Sequence, residues 1–106
     1  MPLIQISTNV PKEKITNELN LHFVDLVADL LKKPKDYVAC NIMPDQMMSF
    51  GGSFEPCAQV LVQSVGRLGV EENKAYSKAI FADLESKLGI APNRAYIFFH
   101  DVNFFN

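Results

Sequence analysis

Pro2, directly behind Met1, is the residue whose type and position could do chemistry on their own. A small second residue permits removal of the methionine, and proline then presents a secondary amine as the first atom of the mature chain. Leu3-Ile4-Gln5-Ile6 reads as a strand, so that amine would be fixed to a rigid end. A nitrogen of this kind, its pKa lowered by its surroundings, transfers protons at neutral pH. A Met-Pro start is also common in proteins that make no use of it, and with Met1 attached the Pro2 nitrogen is an amide and no base.

Other chemistry-bearing residues are sparse. Lys32 and Lys33 fall at the end of a predicted helix, where positive charge complements the dipole with no function required. Cys40 and Cys57 sit in apolar runs and read as buried thiols; Val60 stands where a second cysteine would complete C-x-x-C. His22 and His100 lie far apart without ligands at metal spacing, so neither a metal nor another cofactor is expected. The 106 residues carry a formal charge of −2 with no polybasic run, which excludes a nucleic-acid surface. No apolar run is long enough to span a bilayer, and the start lacks the basic region of a signal peptide. Composition points to one domain, residues 1–106, of cytoplasmic type.

The elements that must position these residues read as two similar halves. A strand over residues 2–7 is followed by a helical pattern from about Lys12 or Thr16 to Leu31, stopped by Pro34. A second strand is expected from Tyr37 to about Met43, and Gly51-Gly52-Ser53 breaks the chain. The second half repeats the order: a strand over Cys57 to Val65, a helix from Val70 with Gly89 as its C-cap, and a strand over Arg94 to Asp101. Right-handed crossovers make each β-α-β pair parallel, giving an α+β fold: a four-stranded mixed sheet with two helices on one face. The other sheet face, including Leu61, Gln63 and alternate residues of the Tyr37 and Tyr96 strands, would then be bare, and an oligomer is expected to cover it.

Asn9-Val10-Pro11, Lys33-Pro34, Tyr37-Val38-Ala39, Pro44-Asp45-Gln46 and Phe50-Gly51-Gly52-Ser53 occur in order behind Met1-Pro2. Glu55-Pro56-Cys57-Ala58, Ser64-Val65-Gly66, Tyr76-Ser77-Lys78, the run from Leu88 to Arg94 and Tyr96-Ile97 continue the series. Together they resemble the macrophage migration inhibitory factor family over essentially the whole chain. The resemblance implies the tautomerase fold, a homotrimer, and sites between neighbouring subunits. It implies keto–enol tautomerisation of α-keto acids such as phenylpyruvate, isomerisation of dopachrome-type substrates, and a cytokine-like role at a cell-surface receptor after non-conventional secretion. By the same resemblance Pro2 is the catalytic base and Lys33 binds the acidic substrate. The backbone N–H of Val65, preceded by Ser64, contacts substrate, and Tyr37 and Tyr96 wall the pocket.

Two features depart from that pattern. Phe98 stands where relatives often carry a substrate-bonding Asn, so specificity would shift toward apolar contact or activity would fall. The chain ends at Asn106, where relatives continue through a further strand, and Asn103-Phe104-Phe105-Asn106 would partly replace it against a neighbour. Both favour a rival reading, a non-catalytic cytokine-like interaction protein on the same scaffold. A β-α-β-β-α-β regulatory module fits the element order alone.

Overall fold

The computed structural model describes residues 1–102. In chain order it contains strand β1 (Leu3–Thr8), helix α1 (Asn17–Leu31), strand β2 (Ala39–Met43), strand β3 (Ala58–Ser64), helix α2 (Val70–Leu88) and strand β4 (Ala95–Asp101). The sheet order is β2-β1-β3-β4; β1 runs parallel to β2, β3 parallel to β4, and the central pair is antiparallel. This is the four-stranded mixed sheet with two helices expected from the repeated β-α-β pattern. The expected packing of Phe104 and Phe105 lies outside the described residues.

Side-chain alternation decides which face is buried. Ile4, Ile6, Val60 and Val62 point to the same side as the helices, where Phe23, Val27 and Leu31 of α1 meet Ile80 and Leu84 of α2. Thr16 caps α1 by accepting from the Leu19 N–H at 3.0 Å, and Lys32 ends it in the left-handed region at φ 54°. Pro34 explains that ending, since it disfavours a helical conformation at Lys33. Gly89 ends α2 at φ 69°, and the Ile90 N–H returns to the Leu84 carbonyl. His22 Nε2 and Asp83 Oδ2, 2.6 Å apart, bridge the two helices.

One expectation changes. The second strand begins at Ala39 rather than Tyr37, because Pro34 opens a 3-10 turn over Lys35–Tyr37 that leaves Tyr37 exposed and off the sheet. The face away from the helices is bare, as expected: Leu3, Ala39, Met43, Leu61, Tyr96 and Phe98 lie on it among Gln5, Ser7, Gln59, Gln63 and His100.

Long-range side-chain bonds tie down the segment between β2 and β3. Asn9 Nδ2 donates to the carbonyls of Phe54 and Glu55 at 3.0 and 3.1 Å, while its Oδ1 accepts from the Cys57 N–H at 2.9 Å. Arg94 reaches back to the carbonyls of Phe50, Ser53, Glu55 and Pro56 at 3.0–3.2 Å, with its guanidinium 5.6 Å from the centre of the Phe50 ring.

Burial pushes the Cys40 thiol up to about 11. The thiol therefore keeps its proton at neutral pH, and the thiolate is the nucleophile. Alkylation of Cys40 by iodoacetamide at pH 7.5 is expected to run roughly a hundredfold slower than that of free cysteine. The rate should climb with pH toward 11. Modification at the free-cysteine rate, located by peptide mass mapping, would contradict this.

Candidate active site

The first turn of chain before β1 and the first residues after α1 meet at one end of the sheet. Pro2 is fully buried there, and its carbonyl accepts from the Ala39 N–H at 3.1 Å, joining the start of β1 to the start of β2. A proline fits this position because strand-start residues need not donate to the ladder. Leu3 pairs with Gln63 in the antiparallel register, which carries Pro2 alongside the end of β3 at Ser64.

Lys33 reaches the same point from the helix side. The left-handed turn at Lys32 breaks the helical path, and Lys33 Nζ donates to the Val65 carbonyl at 3.1 Å. A cleft of about 320 Å³ opens here, lined by Met1, Pro2, Lys33, Pro34 and Tyr37. Among those described residues Lys33 is the one charged side chain, set against an otherwise apolar wall. Such a cleft fits a small, flat, singly negative molecule: the ammonium takes the anion and Tyr37 and Pro34 take the rest.

Ser64 is buried, its side chain on the helix side of the sheet with Val60 and Val62. It has no side-chain hydrogen-bond partner among the described residues, and its carbonyl accepts from the Val102 N–H at 3.0 Å. Tyr96 and Phe98 lie elsewhere. Phe98 pairs with Leu61, which pairs with Gln5, and Tyr96 pairs with Gln59, which pairs with Ser7. Two strand spacings and three or more residues of rise separate both from Pro2, more than about 10 Å. Within one chain the cleft therefore gathers Pro2, Lys33 and Tyr37, with the Val65 carbonyl bonded to Lys33, but not Tyr96 and Phe98. The Tyr96 ring packs on Phe50 with centroids 5.0 Å apart, on the part of the chain that Arg94 holds.

The macrophage migration inhibitory factor family matches residues 1–106. The chain belongs to that family. It is 43% identical to the macrophage migration inhibitory factor of Xenopus tropicalis over 103 residues, covering 97% of this chain and 90% of the relative. The Meriones unguiculatus protein is 37% identical over the same shares. Among solved structures, the family member from Trichinella spiralis superposes with a TM-score of 0.92 at 36% identity, covering 95% of this chain and 89% of that one. The homologue from Prochlorococcus marinus gives 0.89 at 33% identity, covering 98% and 95%. The fold is thus that of the macrophage migration inhibitory factor tautomerases.

Pro34, expected as a helix stop and as part of the Lys33-Pro34 motif, also lines the cleft, and Gly66 turns the chain beyond Val65. Asp101, which accepts from the Gly66 N–H at 2.9 Å, had no signal in the sequence, because nothing local connects it to a turn 35 residues earlier.

Proposed function

We propose that this chain is a keto–enol tautomerase of phenylpyruvate-like α-keto acids and dopachrome-type substrates, with the Pro2 nitrogen as its base once Met1 is removed. The observation that carries the reading is the burial of Pro2 in an apolar cleft whose one charged side chain is Lys33. An amine so placed loses hydration for its ammonium form, and the neighbouring cation disfavours that form further. In the reaction the neutral nitrogen takes a proton from the carbon next to the substrate carbonyl. The C–H electrons become the carbon–carbon double bond, and the carbonyl π pair moves to oxygen. The enolate oxygen is then protonated, and the proline gives its proton to solvent. Lys33 holds the substrate carboxylate, and the Val65 backbone N–H is a donor for substrate. No cofactor enters the scheme.

The same reading takes the chain as a single domain that works as a homotrimer. Tyr96 and Phe98 are too far from their own Pro2 to serve it, so a neighbouring copy brings them to the pocket. Phe98 contributes an apolar wall and no hydrogen bond, which favours substrates with an aromatic ring. Family membership supports residence in the cytoplasm and release as a cytokine-like ligand of a cell-surface receptor; no described helix is long and apolar enough to cross a membrane. The rival is the same scaffold acting as a non-catalytic interaction protein, favoured by Phe98, whose side chain offers a substrate no hydrogen bond.

The deciding experiment compares phenylpyruvate turnover by protein whose intact mass shows Met1 absent with turnover by protein whose N-terminus is deliberately extended. The processed form is expected to turn over and the extended form to be inactive. Equal rates would remove Pro2 as base, and no turnover by the processed form would select the interaction protein.

A further inference from the structure

We propose that Asp101 is a positioning residue for Lys33, and that it sets the affinity for an anionic substrate through one peptide unit. The inference rests on the reading of Lys33 as the carboxylate-binding group. Beyond β3 the chain turns at Gly66, which adopts φ 75°. The Val65 carbonyl and the Gly66 N–H belong to the same peptide unit. That unit is planar and trans, so the two groups point in opposite directions and cannot turn independently. On one side the Gly66 N–H donates to Asp101 Oδ1 at 2.9 Å; on the other the Val65 carbonyl accepts from Lys33 Nζ at 3.1 Å.

Asp101 therefore aims the carbonyl that aims the ammonium. It also polarises the unit: a carboxylate drawing on the N–H makes the carbonyl oxygen a better acceptor. The base of the turn is held independently, because Ser64 pairs with Asp101 in the β3–β4 register and the Ser64 carbonyl accepts from Val102. Loss of the Asp101 side chain thus frees the Val65–Gly66 peptide to rotate without unzipping the strands. Lys33, a long and flexible side chain, then loses its fixed partner and spreads over several rotamers. The expected cost falls on binding of the anion and not on proton transfer at Pro2.

The test uses the full, processed chain with phenylpyruvate as substrate. Asp101→Ala is expected to raise KM about three- to tenfold, the range of one hydrogen bond, with kcat changed less than about twofold. Asp101→Asn, whose amide oxygen can still accept from the Gly66 N–H, is expected to recover most of that loss. In a Lys33→Ala background, Asp101→Ala should add nothing, since the group it positions is gone. Wild-type KM in Asp101→Ala, an undiminished effect without Lys33, or an Asn variant as poor as the Ala variant would each overturn the inference. Should Asp101→Ala fail to fold, Asp101→Ser is measured instead, and loss of fold in both makes Asp101 structural and ends the proposal. A wild-type protein without turnover, or one indifferent to Lys33→Ala, would defeat the tautomerase reading itself. An active, Lys33-dependent enzyme indifferent to Asp101 would defeat only this inference.

Discussion

Pro2→Gly is expected to lower kcat/KM for phenylpyruvate by about 10²- to 10³-fold, within the range usual for a positioned acid–base group. Glycine is also small, so Met1 would still be removed and a free amine would still lead the chain. The comparison is therefore between two amines and not between an amine and a blocked terminus. The pyrrolidine ring is fully buried, and it fixes the nitrogen at the start of β1. Glycine has no ring to fill that space and ranges over far more backbone conformations. The primary amine would rotate, admit water and hold its proton more strongly than a desolvated secondary amine. Stability should fall by about 1–3 kcal/mol, because the apolar burial of the ring is lost together with its restriction of the backbone. Steady-state kinetics beside a thermal melt check both statements. Activity within threefold of wild type would remove the base from Pro2.

Arg94→Ala is expected to cost about 2–3 kcal/mol of stability and lower Tm by about 10 °C or more. The guanidinium donates to four carbonyls spread over residues 50–56. It also lies on the Phe50 ring, itself packed against Tyr96. Two of the bonds are largely exposed, so water replaces them at small cost, and the figure is set well below the sum of four. Arg94→Lys should recover little, because an ammonium cannot present the planar fork that serves several carbonyls at once. Because the held segment carries Phe50, the Tyr96 ring should loosen as well, visible as changed near-ultraviolet dichroism. A melt within 2 °C of wild type, by an otherwise matched protein, would show that the segment is held by other means.

The local devices were legible from residues alone. Pro34 announces the end of α1, Gly89 the end of α2, and two-residue alternation marks β3 as a strand with one wet face. The central antiparallel pairing of β1 with β3 was not, because two β-α-β units can be laid beside one another in more than one order. Tyr37 was misplaced onto a strand since its β propensity says nothing of the 3-10 turn that Pro34 initiates. In the site, Pro2 stood out by its type and its place behind Met1, and resemblance to a family supplied Lys33. That Lys33 Nζ meets the Val65 carbonyl depends on contacts between residues 32 positions apart, which periodicity does not encode. The Asp101 bond to Gly66 and the Arg94 grip are of the same kind: single polar side chains spanning from one element to another.

The place of β1 inside the sheet sets an order of events in the life of the chain. β1 has a neighbour on each side, and Pro2 is buried at its mouth, so the first residues cannot fray outward as those of an edge strand would. An aminopeptidase needs a few residues of slack to seat the methionine it excises. If Pro2 is to serve as the proposed base, Met1 must therefore go before β1 is seated in the sheet. A copy that folded first would keep that nitrogen as an amide at the buried mouth of the strand.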